Sequence, residues 1–122
     1  MKRVLIVDDA SVVRMLIKKV LTQADFEGVG EAVNGIDALE KYKELRPDLV
    51  TMDITMPEAD GIQATKDIIA FDAKAKVVML SGIDQKEMLW QAIKAGAVSY
   101  IVKPFENDRI LSTLNEVINT ET

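Results

Sequence analysis

The sequence predicts an α/β fold: a parallel five-stranded sheet covered by helices on both faces, in three layers. Short apolar runs alternate with longer amphipathic stretches along the chain. Five such pairs follow one another, and strict strand–helix alternation favours parallel pairing with right-handed crossovers. The 122 residues are 48% hydrophobic and 29% charged, enough apolar material for one packed domain over 1–122.

Val4-Leu5-Ile6-Val7 reads as a buried strand stopped by Asp8. Ser11 to Ala24 reads as a helix, with Val13, Ile17, Val20 and Leu21 on one face and Arg14, Lys18 and Lys19 beside it. Gly28 to Val33 is a weaker strand. Its Gly28-Val29-Gly30 resembles the start of a dinucleotide loop, but Val33 stands where a third glycine belongs. Ile36 to Leu45 is a helix, capped by Asn34 with Asp37 three residues on and ended by Pro47. Asp48 to Met52 is the third strand, and Ile62 to Phe71 a helix capped by Asp60. Lys76 to Leu80 is the fourth strand. Asp84 and Glu87 read as a capping box for a helix running to Ala95 and closed by Gly96. Ser99 to Val102 is the fifth strand and Asn107 to Ile118 the last helix. No internal repeat, low-complexity tract or linker interrupts the pattern.

Charge and composition narrow the chemistry. A net charge of −5 disfavours nucleic acid and anionic membranes, which attract Lys and Arg. No stretch reaches membrane-spanning length, and no secretory signal is visible, so a cytoplasmic location is expected. The chain has no Cys and no His, which removes disulfides, Cys/His zinc sites and every Ser-His-Asp or Cys-His mechanism. Carboxylates, hydroxyls, Lys and Arg remain, and carboxylate-rich sites suit hard cations such as Mg²⁺.

The informative residues follow the strands. Strand one leads into Asp8-Asp9, strand three into Asp53, strand four into Ser81 and strand five into Lys103-Pro104. Sites in such sheets form at the carboxyl ends of the strands. Three carboxylates, a hydroxyl and an ammonium therefore converge on one edge. Neighbouring carboxylates repel and shift towards protonation, which a divalent cation and Lys103 would relieve. Each residue alone has an ordinary explanation: Asp as a cap, Ser81-Gly82 as a turn, Lys103 as a solvated surface group. The coincidence of four strand ends favours a metal site suited to phosphate.

At these positions the sequence resembles the CheY-like response-regulator receiver family. Asp8-Asp9 matches its acidic pair, and Asp53 within Thr51-Met52-Asp53-Ile54-Thr55-Met56-Pro57 its phosphoacceptor segment. Asp60-Gly61 matches the following turn. Ser81-Gly82 matches the hydroxyl position, and Lys103-Pro104-Phe105 after Ala95-Gly96-Ala97 the end of strand five. The wording around Asp53 and Lys103 is most similar to stand-alone chemotaxis regulators. The resemblance implies a flavodoxin-like sheet of order 2-1-3-4-5 and a two-component signalling switch. It implies phosphorylation of Asp53 by a histidine kinase, assisted by Lys103 and Ser81. It also implies Mg²⁺ held by Asp9, Asp53 and the backbone carbonyl of Thr55, and by Asp8 through water. Backbone N–H groups of Thr55 and Gly82 would add donors to the phosphoryl oxygens. Ser81 and Tyr100 would form the switch, and the Lys103–Pro104 bond would be cis. An aromatic packed on an edge strand is the plainer account of Tyr100.

The expected protein is a monomeric phosphoacceptor that assists its own phosphorylation and dephosphorylation, not a turnover enzyme. Its expected partners are a kinase, an output protein on the face of helix four, strand five and helix five, and a phosphatase. Lys86, Trp90, Lys94 and Lys103 would give that face a basic and aromatic character, with Leu89 beside Trp90 on helix four. Three alternatives stand beside this reading. An Asp-nucleophile phosphatase would carry Asp-x-Asp after strand one, a flavin domain would be repelled by Asp8-Asp9, and a receiver belonging to a longer regulator would share every motif named. The six Met residues are scattered, as core filling would have them.

Overall fold

The structure, a computed structural model, describes residues 1–56 and 60–119; Pro57 of the Asp53 segment and residues 120–122 lie outside them. Ten elements alternate along the chain: β1 (Lys2–Val7), α1 (Ser11–Leu21), β2 (Phe26–Ala32), α2 (Gly35–Leu45), β3 (Leu49–Asp53), α3 (Gly61–Phe71), β4 (Val77–Ser81), α4 (Lys86–Ala95), β5 (Ser99–Val102) and α5 (Asn107–Ile118). The strands form one sheet in the order β2-β1-β3-β4-β5, every neighbouring pair parallel. The expected three-layer sandwich and strand order are what the chain adopts.

The two-residue period of a strand sorts its side chains between two cores. Val4 and Ile6 of β1, with Val78 and Leu80 of β4, meet Ile17, Val20 and Leu21 of α1 and Ile110, Leu114 and Val117 of α5. Leu5 and Val7, with Val50, Met52, Val77 and Met79, meet Ala38 and Tyr42 of α2, Ile62, Ala64 and Ile68 of α3, and Ala92 of α4. Strands covered on both faces read as unbroken apolar runs, which is why β1, β3 and β4 are legible. Met52, Met56 and Met79 are buried, as core filling would have them, whereas Met1 and Met15 are exposed.

Local signals set several boundaries. Asn34 Oδ1 accepts from the Asp37 N–H at 2.8 Å, and Asp60 Oδ1 from the Gln63 N–H at 2.9 Å, so both predicted caps form. Gly96 closes α4 at φ 122°, a conformation glycine adopts freely. The Lys103–Pro104 bond is cis.

Three expectations need correction. Helix α1 ends at Leu21, not Ala24, because Gln23 and Ala24 donate back to Val20 and Leu21 in tight turns that aim the chain into β2. Strand β2 starts at Phe26, whose ring is buried, and it carries an irregularity: Val4 pairs with Gly28 but Leu5 with Gly30. Val29 is left over in a bulge, which accounts for the glycine pair in a weak strand and leaves no dinucleotide loop. The Asp84–Glu87 capping box does not form. Helix α4 starts at Lys86 after Gln85 with no side-chain cap, since the Gln85 carboxamide is engaged elsewhere.

Thr51, in the middle of β3, is fully buried and its hydroxyl finds no partner among the described residues. An unmade buried hydrogen bond is unfavourable, and valine has the same shape without the hydroxyl. Thr51→Val is expected to stabilise the fold by about 1 kcal/mol, read as a higher urea midpoint. A loss of stability would show that the hydroxyl is satisfied.

Candidate functional site

The carboxyl edge of the sheet brings together what the strand ends carry. Asp8 follows β1, Asp53 is the last residue of β3 and Ser81 the last of β4, and Lys103 follows β5. One carboxylate oxygen from each of Asp8, Asp9 and Asp53 lies within 4.8 Å of the others. Asp8 and Asp53 are buried, at 1% and 5% exposure, while Asp9 is open to solvent. Lys103 reaches in from the opposite side, its Nζ 3.8 Å from Asp53 Oδ1. The predicted carboxylates and lysine therefore share one pocket.

Burial governs the electrostatics. The Asp53 carboxyl is pushed up from 3.8 to about 6, first by desolvation and next by the charge of Asp8, against the opposing pull of Lys103. A Thr55 N–H bonds its carboxylate and also holds it down. The Asp8 carboxyl is raised as well, mainly by burial, with the Ala10 N–H bond acting against the shift. Asp8 Oδ1 takes that Ala10 N–H at 2.8 Å, while buried Oδ2 has no partner among the described residues. A buried, orphaned carboxylate oxygen beside two more carboxylates is the donor set of a hard cation site. The residues present fit Mg²⁺.

The hydroxyl position is equally specific. Ser81 is 1% exposed and its Oγ has no partner among the described residues. Beyond it opens an apolar groove of about 290 Å³ between α4 and β5, lined by Ser81, Leu89, Trp90, Ile93, Tyr100 and Val102. Tyr100 stands at its mouth, 45% exposed, so plain packing on the edge strand covers only part of this residue. Trp90 is 59% exposed on the same face, whereas Leu89 packs partly into the core. Thr55 is exposed beyond β3.

Such a pocket meets several chemistries that place carboxylates on a parallel sheet, and the sequence decides among them. Residues 4–115 match the response regulator receiver domain. The chain belongs to that family. The receiver is 55% identical to the chemotaxis protein CheY of Thermotoga maritima, over 95% of this chain and 97% of that one. It is 56% identical to CheY of Bacillus subtilis, over 96% and 98%. Among solved structures it superposes on CheY from a CheX–CheY–BeF₃–Mg²⁺ complex of Borrelia burgdorferi with a TM-score of 0.92 and 33% identity, covering 98% of this chain and 90% of that one. The receiver domain of Thermotoga maritima CheB gives a TM-score of 0.90 at 34% identity, covering 100% and 99%. This receiver is thus closely related to stand-alone CheY, and it is a phosphorylation-dependent switch of a two-component system. Receivers of this kind are signalling proteins that take phosphate from histidine kinases and act on output targets. They bind Mg²⁺ at an acidic pocket, and the three carboxylates here could hold it.

Two residues at the receiver's site escaped the sequence reading. Arg14 of α1 donates through Nη1 to the Asp8 carbonyl at 2.7 Å and through Nε to Glu31 at 2.9 Å, tying the acidic pair to β2. Its side chain is only 15% exposed, although its place on α1 reads as one of several basic residues on a solvated face. Gln85 is the other, and no local pattern marks it.

Proposed function

We propose that Asp53 is the phosphoacceptor and that its phosphorylation by a histidine kinase changes the face made by α4, β5 and α5. The observation that carries this reading is the convergence of Lys103 on Asp53 beside two further carboxylates. An Asp53 carboxylate oxygen attacks phosphorus in line, and the phosphorus–nitrogen bond of the donor phosphohistidine breaks, its electron pair leaving with the imidazole. With no His in this sequence, the donor histidine lies outside it. Lys103 neutralises charge on the transferring oxygens, and Ser81 turns its hydroxyl to one of them. Mg²⁺, held by Asp9, Asp53 and the Thr55 carbonyl and through water by Asp8, would supply further positive charge at the same oxygens. The chain thus assists its own phosphorylation, and the later hydrolysis in which water takes the phosphoryl group and the Asp53 carboxylate leaves, without turning over a free substrate.

The switch reading rests on added charge. A phosphoryl group brings negative charge and strong acceptors to a pocket that already strains to hold three carboxylates. Movement of Ser81 towards it opens the groove behind, and the Tyr100 ring has room to turn in. Output then reads a face where Lys86, Trp90 and Lys94 are exposed, suited to an acidic or amphipathic protein segment. The Borrelia CheY is held with CheX, BeF₃ and Mg²⁺, which supports a further protein partner, such as a phosphatase, for this chain. No helix among the described residues is long and apolar enough to cross a membrane. A monomer in the cytoplasm completes the reading.

Incubation with a small acyl phosphate and Mg²⁺ tests the acceptor. One phosphoryl group is expected on the wild-type chain and none on Asp53→Asn, by intact mass. Equal labelling of both would move the acceptor elsewhere. Asp9→Ala is expected to weaken Mg²⁺ binding at least tenfold by calorimetry, since a small cation has few charged ligands here to lose. Unchanged binding would remove Asp9 from the ligand set.

A further inference from the structure

The β4–α4 connection carries a contact that the switch described above does not use. Gln85 Oε1 accepts from the Gly82 N–H at 2.6 Å, and its Nε2 donates to the Thr55 hydroxyl at 2.7 Å, 30 residues earlier in the chain. One carboxamide therefore clamps the loop after β4 to the loop after β3. It does so from the residue that enters α4, whose own carbonyl accepts from the Leu89 N–H.

The direction of the Gly82 N–H gives this clamp its meaning. The Ser81 carbonyl accepts from the Lys103 N–H at 2.8 Å, so it points towards β5. The Ser81–Gly82 peptide is planar and trans, which turns the Gly82 N–H the opposite way, towards β3. Asp53 ends β3, and its backbone pairs with Leu80, two residues before Gly82. The Gly82 N–H is thus aimed at the side of the sheet where a group on Asp53 would sit, and the Gln85 oxygen takes it. A phosphoryl oxygen is a charged acceptor, and bonds to charged acceptors are roughly twice as strong as bonds to a neutral amide.

We propose that Gln85 is a positioning latch. In the unphosphorylated chain it holds the Gly82 amide and the Thr55 hydroxyl; a phosphoryl group on Asp53 displaces it from Gly82 and frees the first turn of α4. This rests on Asp53 being the acceptor. Because the latch must open for the phosphoryl group to bind, Gln85 opposes the phosphorylated form. Removing its carboxamide favours that form. Replacing it with a carboxylate strengthens the acceptor on Gly82 and adds negative charge beside the phosphoryl oxygens, which disfavours it.

Beryllofluoride titrations at fixed Mg²⁺, followed by amide NMR, test the latch in wild type, Gln85→Ala, Gln85→Met and Gln85→Glu, with Asp53→Asn as the blank. Methionine keeps the length of glutamine without its hydrogen bonds and serves if the alanine variant folds poorly. The half-saturating concentration is expected to fall about threefold to tenfold in Gln85→Ala and Gln85→Met, the worth of one or two hydrogen bonds, and to rise in Gln85→Glu. The Gly82 amide resonance is expected to differ between wild type and Gln85→Met before titration and to converge at saturation. A simple structural role would not reverse sign between methionine and glutamate. Equal half-saturation in all four proteins, or a Gly82 difference that persists at saturation, overturns the latch. If wild type responds no more than Asp53→Asn, the acceptor assignment has failed, and the latch with it.

Discussion

Asp53→Asn is expected to stabilise the metal-free protein by roughly 3 kcal/mol at pH 7.5 while abolishing its phosphorylation. The Asp53 carboxyl titrates near 6 in the fold and near 3.8 when unfolded, chiefly because burial disfavours its charge. Between those values the native state holds a proton that the unfolded chain has released. The stability tied to the protonated group is full below about 3.8 and is lost as pH rises through about 6. Above that range an ionised Asp53 costs the fold the whole shift. Asparagine keeps the shape and never ionises. Urea unfolding of both proteins with a chelator, at pH 4, 6 and 7.5, should show the variant's advantage growing from near zero at pH 4 to its full value at pH 7.5. Carboxylates remote from the site titrate equally in both proteins, whereas Asp8, which repels Asp53, is relieved of that charge in the variant and adds to its advantage. Saturating Mg²⁺ should narrow the gap, since ligand binding stabilises the wild type more. An advantage independent of pH would refute the desolvation account.

The second large effect is expected at a residue with no functional group. A Cβ on Gly61 would lie 2.0 Å from the Asp53 carbonyl oxygen, 2.9 Å from its carbonyl carbon and 2.9 Å from Ile54 Cα. All three are backbone atoms, so no side chain can swing aside. The Gly61 N–H also donates to the Ile54 carbonyl at 2.8 Å, seating the first turn of α3 directly on the end of β3. Gly61→Ala must push α3 away from the strand that presents Asp53. A loss of about 3 kcal/mol in unfolding free energy is expected from this overpacking. Misplacing the proposed nucleophile by about 1 Å would cost on the order of a hundredfold in rate. Acyl-phosphate labelling at a temperature where the variant remains folded separates the two effects. Normal labelling and normal stability together would show that α3 can retreat without moving Asp53.

Gly61 also shows how sequence and structure divide the account. Asp60-Gly61 reads as a turn, and Asp60 does cap α3; yet the glycine is needed for the close approach of α3 to the backbone at the end of β3, a relation between residues with no local pattern. The same division runs through the site. Unbroken apolar runs such as Val4 to Val7 and Val77 to Leu80 announce buried strands, because a strand covered on both faces has no polar side to show. The polar residue that ends each run then marks the sheet edge, so Asp8, Asp53, Ser81 and Lys103 are legible as one constellation in the sequence itself. Caps at Asn34 and Asp60 were legible for a related reason: their partners lie three residues away.

What escaped was decided between distant parts of the chain. The capping box expected at Asp84 and Glu87 is a local preference worth about 1 kcal/mol, and it gave way to a Gln85 side chain engaged with Gly82 and with Thr55 across the site. Arg14 looked like one more basic residue on α1 until the fold laid the Asp8 carbonyl and Glu31 beside it. The raised Asp53 carboxyl depends on burial and on Asp8, neither of which spacing along the chain measures. Hydrophobic period and short-range hydrogen bonding are written into neighbouring residues, so the sequence alone determines the layers, the strand ends and the kind of chemistry gathered there. Desolvation and bonds between loops depend on which surfaces packing brings into contact, so only the tertiary structure decides how deeply that chemistry is buried and which loops are tied together around it.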